Sequence, residues 1–498
     1  MRSFGLFGSV LVGGVGVALG LAACDGAIGD TDVPGPPDVE PRAIPANPEI
    51  VPSTTTCVDR NAGESLLSVS PEGHAWFVTP GSPTKVRVLD AFDGAIAETD
   101  EDVEIDDVVD GQAWSAADAA LISKDGLWRL ESFARIDMST PDGFTTPASL
   151  CGDPSKNGVL VSGGQVFERR SDGWWSWDPK APGGAAPSRV VRVDGECRTA
   201  DDVMWLSSAD GTLYRVEPST FTAPIQFAGL SDLAVTAGYL AVVDAEQFWV
   251  GTSDGKWQPW TFSADVPKAL SASNGVTWMR SGDQLLRFDG SEWTAVAPEM
   301  DEPIDTIAAH ADGAWLVGDS KICHASLGPA LRVEGVRPYL RSTELEYDFR
   351  VEASDGSVEI SADLDGEPIE LTADAESGWL VGHVRLETIG WHTLHVSGDD
   401  PNSARDIPLK RAPETERGWA TDIAPIYAAN CSASTCHHPG STSPPDLSTF
   451  DAWKKHSDVI RARVVEARTM PPVGKVEPDF GDDDISIIDE WIEGGMLP

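Results

Sequence analysis

Basic residues are scarce in this 498-residue chain: 36 lysines and arginines stand against 80 acidic residues, a formal charge of −44. Such a surface repels phosphate backbones and anionic headgroups, which excludes nucleic acid and an acidic bilayer face as partners. Histidine is scarce as well, with nine in all and only His74, His310 and His324 between residues 57 and 328. Three are too few for a histidine-built copper cluster in that region. The acidic runs Glu98 to Asp107 and Asp482 to Asp484 do not follow the ligand order of an EF-hand. Cysteine is limited to seven residues, so each has to be accounted for.

What is present begins with an apolar run from Phe4 to Leu21, preceded by the single charge of Arg2 and closed by Leu21, Ala22, Ala23 and Cys24. A small-residue site ending in cysteine resembles a bacterial lipoprotein signal. The resemblance implies that residues 1–23 are removed and that Cys24 becomes the lipid-bearing N-terminus. The run is dense in glycine and has no positive stop-transfer flank, which argues against a spanning anchor. The chain is therefore expected to be exported and held to the cell envelope, at the periplasmic face or the cell surface. Residues 24–56 carry seven prolines among few bulky apolar residues and read as a tether.

Residues 57–328 repeat. One copy runs Val276 to Met279, a turn at Ser281 to Asp283, Leu285 and Leu286, then Asp289-Gly290 and Trp293. A second runs Val159 to Val161, Gly163-Gly164, Val166 and Phe167, then Asp172-Gly173 and Trp174. The first turns fall near residues 81, 117, 163, 210, 245, 282 and 318. Units of this size built from hairpins predict a β-propeller of six or seven blades, and the 18 tryptophans suit packing between sheets. Cys57 and Cys323 stand at the two ends of the repeat, so a disulfide Cys57–Cys323 is expected to clasp first blade to last. Cys151–Cys197 is the remaining expected pair. A protein or glycan is the ligand such a propeller could bind.

Residues 329–411 alternate apolar and polar positions at 347–351, 358–362, 369–372, 379–384 and 393–396, which predicts a small immunoglobulin-like β-sandwich acting as a spacer. His383, His392 and His395 fall on these strands without evident acidic company and read as ordinary strand residues.

The most specific chemistry lies in residues 412–498. Cys431 and Cys436, spaced by four residues and followed at once by His437, match the needs of covalent haem attachment. Downstream come Met470, Pro471 and Pro472, then a helical pattern with Ile485, Ile488, Trp491 and Ile492 ended by Gly494 and Gly495. Residues 448–468 read as a helix with Trp453, Ile460 and Val464 on one face and Ser448 with Asp451 as a capping box. The segment resembles the small all-α c-type cytochrome domains at the ends of many bacterial periplasmic proteins, with a CxxxxCH variant of their motif. The resemblance implies one covalent haem c, thioethers at Cys431 and Cys436, His437 as proximal iron ligand and Met470 as distal ligand. It also implies an electron carrier with a redox partner protein rather than a catalyst. His438 and His456 stand in reserve as ligands. The basic set Lys454, Lys455, His456, Arg461, Arg463 and Arg468 would give an acidic redox partner a docking face. The alternative is a haem-free adhesion or scaffold lipoprotein in which Cys431 and Cys436 form a local disulfide.

Overall fold

The computed structural model describes residues 37–498 apart from 147, 152–157, 163–164, 171–172, 177–189, 193–203, 209–210, 218–219, 222–224, 228, 237, 253–255, 263–268, 283, 337–339, 376, 401–402, 413–416, 433–436, 440–444, 471–479, 495 and 497–498. Among the described residues, seven sheets built on antiparallel strands follow one another along the chain, so the architecture is mainly β and propeller-like. Blade 1 spans Ser65–Val103, blade 2 Val108–Met138, blade 3 Ala148–Ser176 and blade 4 Val190–Phe221. Blade 5 spans Asp232–Thr261, blade 6 Ala269–Val296 and blade 7 Thr306–Ser326. Within each blade, consecutive strands pair antiparallel. The first strands of successive blades adjoin, blade 5 packs on blade 4 through Trp205, Leu213, Leu233 and Val235, and blade 7 returns to blade 1. The ring is closed.

Hydrogen bonds between neighbouring first strands explain the short polar residues placed there. Ser68 Oγ accepts from Ala113 N–H, Asp110 Oδ2 from Leu150, Asp232 Oδ2 from Leu270 and Ser271 Oγ from Ala309. Each polar side chain thus pairs a backbone donor of the next blade that the sheet itself leaves unmade. Tryptophan does the same at larger radius. Fully buried Trp76 donates Nε1–H to Ser115 O of blade 2, and fully buried Trp315 donates to Gly73 O of blade 1, both at 2.8 Å.

Closure draws on a segment that the sequence reading assigned to a tether. Thr54–Asp59 pairs antiparallel with Lys321–Ser326 as the outer strand of blade 7, and Cys57 is bonded to Cys323. Further upstream, Glu49–Val51 adds a parallel strand to the outer edge of blade 6, and Arg42–Ala43 adds one to blade 5. Residues 42–56 therefore lie along the rim of three blades, because those sheet edges supply the backbone partners that a free linker would seek in water. A second correction concerns blade 2. Its turn equivalent to the others lies at Lys124 and Asp125, whereas residue 117 belongs to the first hairpin, which Ser115 and Asp118 fasten through mutual side-chain bonds. The outermost strand of blade 1, Ala97–Val103, is almost wholly exposed and acidic, a charged edge that resists pairing with another chain.

Residues from Leu331 to Arg411 form two sheets facing one another. Along Glu346–Ala353 buried positions alternate with exposed ones and along Gly390–Ser397 with half-buried ones, and Val333, Phe349, Val351, Leu394, Val396, Ile407 and Leu409 fill the space between the layers. His383, His392 and His395 do have acidic company, contrary to the sequence reading. They meet Asp348, Asp365 and Asp406 respectively, at 2.8, 2.7 and 2.7 Å. Three separate pairs make three local contacts rather than one metal cage.

The sandwich is not a detached spacer. Arg405, buried, pairs with buried Asp312 of blade 7 and donates to Pro71 O of blade 1 at 3.0 Å. Arg332 reaches Asp90 of blade 1 at 2.6 Å, and Asn274 of blade 6 bonds Ala404 O and Asp406 N–H. Arg405→Met should cost about 3–5 kcal/mol in urea unfolding, because Asp312 is left charged and buried. Adding Asp312→Asn should recover part of that loss; a single variant with unchanged midpoint would show that the ion pair contributes nothing to the junction.

Candidate functional site

The C-terminal region is helical: α1 (Ala424–Asn430), α2 (Phe450–Lys455), α3 (Ser457–Ile460) and α4 (Asp482–Glu493), with π-helical turns at Trp419–Ile423 and Arg461–Glu466. α2 starts one residue later than the sequence suggests. Thr449, not Ser448, is the N-cap and accepts from Ala452 N–H at 3.2 Å, while Ser448 N–H is taken by Asp446. The helices enclose Ile423, Ile426, Tyr427, Leu447, Trp453, Ile460, Val464, Ile488 and Trp491. Trp453 and Trp491 are among the largest fully buried side chains of the molecule, and both lie about 6 Å from Trp419. Arg417 ties the start of the region to α4 through Glu490 at 2.8 Å.

Cys431 caps α1, its N–H donating to Tyr427 O, and it packs half-buried against the cluster. Cys436 lies outside the described residues. The chain then returns so that His437 N–H donates to Cys431 O at 3.0 Å, which brings the two backbones together. Three further bonds fix His437. Tyr427 donates its phenol to His437 O at 2.9 Å, Leu447 N–H donates to the same carbonyl at 3.0 Å, and His437 Nδ1 lies 2.7 Å from Pro445 O. Burial raises the Tyr427 phenol above its ordinary pKa, with Asp446 and Cys431 adding to it, so the group remains a donor. A carbonyl oxygen only accepts, so Nδ1 carries a proton, and in the neutral ring Nε2 then holds the lone pair. An imidazole with Nδ1–H held by a backbone carbonyl is the arrangement of a metal-ligating histidine.

These supports were not visible in the sequence reading, which named His437 but neither Tyr427 nor Pro445 as its partners. Met470 is 38 % exposed, outside the apolar cluster, with its N–H on Arg463 O at 3.1 Å. His456 is the C-cap of α2, and His438 bonds the carbonyl of Pro439. Among the described residues, no three His, Cys, Asp or Glu side chains converge as a cage for a bare ion. A porphyrin brings its own four nitrogens and asks one imidazole of the protein, so the arrangement around His437 fits that group. Trp453 Nε1 and Asn430 Oδ1 are buried in this cluster without a partner among the described residues. Cys24 lies outside the described residues, as does Cys197. For Cys151 the backbone alone is described, in the strand Ala148–Cys151. Among the described residues no helix is long and apolar enough to cross a membrane.

No protein-family model matches the chain, and neither does any curated protein. Solved structures that resemble it include BBS1N in complex with ARL6DN, at 12 % identity and a TM-score of 0.39 over 56 % of this chain and 98 % of that one. The β-propeller domain of Cps50 (Swd1) from Myceliophteria thermophila shares 11 % identity at a TM-score of 0.40, covering 53 % and 98 %. The extracellular domain of the putative one-component system BT4673 from B. thetaiotaomicron shares 10 % identity at 0.39, over 71 % of this chain and 57 % of that one. These are similarities of fold at low superposition, and the propeller rests on the seven sheets of the chain itself.

Proposed function

We propose that this chain is an envelope-anchored c-type haem protein that carries single electrons, with the propeller and sandwich as its docking body. The observation that supports this best is the His437 Nδ1 contact to Pro445 O, in a residue whose backbone N–H is held by Cys431 O, which leaves Nε2 as the ligand atom. In this reading Cys431 and Cys436 would hold the haem by thioethers, and His437 and Met470 would supply the ligands to its iron. When bound, the haem iron takes up and returns one electron. Tyr427 and Leu447 fix the loop through His437 O, and the tryptophan cluster excludes water from the side of the site it lines. Cys24 carries the lipid, the bilayer is met through that lipid alone, and the redox partner is a protein.

A pyridine haemochrome spectrum of protein matured in a host with a c-type attachment system tests the proposal. A c-type α band that survives acid–acetone extraction is expected, and Cys431→Ala should change it by leaving a single thioether. Absence of bound haem, with Cys431 and Cys436 oxidised, would replace this function with that of a scaffold lipoprotein. In the loaded protein, Met470→Ala should abolish the weak long-wavelength band of methionine-ligated ferric haem; an unchanged band would remove Met470 as the distal ligand.

A further inference from the structure

The turn at Asn274 and Gly275 carries chemistry that the proposed function does not use. It joins Ala269–Ser273 to Val276–Ser281 as a two-residue hairpin turn closed by the pair Ser273 and Val276. Both turn residues are left-handed, with φ of 48° and 77°, as a tight hairpin of this kind requires. An asparagine followed by glycine is prone to deamidate, because glycine has no Cβ to shield its backbone nitrogen from the neighbouring carboxamide. Here each reacting group is engaged. Gly275 N–H donates to Oγ1 of fully buried Thr236 in blade 5 at 2.6 Å. The sandwich holds the Asn274 carboxamide at both ends, Nδ2 donating to Ala404 O at 2.8 Å and Oδ1 accepting from Asp406 N–H at 3.1 Å. Between Ala404 and Asp406 stands Arg405, whose ion pair with Asp312 fixes that strand to blade 7.

From these contacts we infer that Asn274 is a self-modifying site masked by the sandwich, and that it deamidates when the sandwich leaves the propeller. In the reaction the Gly275 nitrogen gives up its proton and forms a bond to Asn274 Cγ. The bond from Cγ to Nδ2 breaks, and ammonia leaves. Water then opens the five-membered imide to aspartate or isoaspartate, so the balance is one water in and one ammonia out. Neither product has an N–H to offer Ala404 O, and each adds a carboxylate to a junction that already holds Asp406. An opening of the junction that is reversible at first is thereby recorded in the covalent chain. The inference is independent of the haem proposal, since it needs neither iron nor lipid.

Peptide mapping of the full chain, sampled during incubation in mildly alkaline buffer, tests it and separates Asn274 from Asn157, the other asparagine followed by glycine. The urea-unfolded chain should deamidate at Asn274 fastest. The native chain should do so about a hundredfold more slowly or less, since the rate follows the population in which the turn is free. Arg405→Met, which loosens the junction, should raise the native rate about tenfold or more. Arg332→Gln, which loosens the same junction through Asp90, takes its place if that variant does not fold. Leu121→Ala, a cavity in the core between blades 1 and 2, should leave the native rate unchanged. A native rate equal to that of the unfolded chain would overturn the inference. So would a rate that neither junction variant alters, or one that Leu121→Ala raises as much.

Discussion

Replacing Cys57 and Cys323 together by alanine should lower the free energy of unfolding by about 5 kcal/mol. The bond joins residues 266 apart in sequence, so it removes from the unfolded chain the freedom of most of the propeller at once. Cys323 is fully buried beside Leu316 and Ala325, in the cluster that joins blades 6 and 7, while Cys57 lies on the strand that completes blade 7. With the bond gone, six paired residues of Thr54–Asp59 alone hold that outer strand in place, and its release would bare a sheet edge. Urea unfolding of the oxidised, reduced and double-alanine proteins measures the effect. Coincident midpoints would mean that strand pairing alone closes the ring.

Acid should unfold this protein well above the range in which most carboxylates titrate. His310 Nε2 and His324 Nε2 lie 2.8 Å apart with their rings stacked, and both residues are buried. Only one proton fits between the two nitrogens. Burial, with the charge of Arg405, pushes His310 down to about 3; burial, with His310 beside it, pushes His324 down to about 3. In the unfolded chain both bind protons near pH 6.5, so below that pH the unfolded state holds more protons and stability falls as pH falls. Between pH 6.5 and 4.5 the loss should be on the order of 2–3 kcal/mol per histidine. His74 opposes this in sign. Burial resists its charge, but Asp90 and Glu72 outweigh burial and raise its pKa, so its contribution is complete below pH 6.5 and is lost as pH rises. Asp90 is held well below the usual carboxylate range, against burial, by His74 and Arg332, and its contribution disappears only under stronger acid. Urea midpoints measured across this pH interval should fall steeply in the wild type and less so in His324→Gln. A flat wild-type profile would refute the assignment.

The turns of the blades were legible because each is a local event. Asp-Gly and Gly-Gly pairs between short apolar runs specify hairpins whatever lies beyond them, and the residues after Asp289 and before Trp293 behave accordingly. Blade 2 shows the limit of that reading, since Ser115 and Asp118 build a comparable turn one strand early. The strands Arg42–Ala43 and Glu49–Val51 were not legible, because two or three residues among prolines carry no periodicity and their pairing depends on edges made some 200 residues later. The approach of blade 1, with Gly73 and His74, to the His310–His324 pair escaped notice for a related reason: ring closure brings blade 7 beside blade 1, and sequence distance conceals it. At the candidate haem site, Cys431 and His437 announce themselves by spacing. Pro445 becomes the partner of Nδ1 only through the path of the intervening loop, which no pattern of residue types encodes.

The strands that seal the ring are the first to be made. Arg42–Ala43, Glu49–Val51 and Thr54–Asp59 leave the ribosome before any of the blades they complete, and must wait for Trp257–Thr261, Trp293–Val296 and Lys321–Ser326. Because chains fold as they emerge, the leading segment spends most of synthesis without its partners. Cys57 waits with it, and Cys151 and Cys197 both appear before Cys323 does. Maturation therefore depends on keeping the earliest thiol of the propeller from reacting with the nearer ones, which makes the thiol–disulfide balance during folding a determinant of yield.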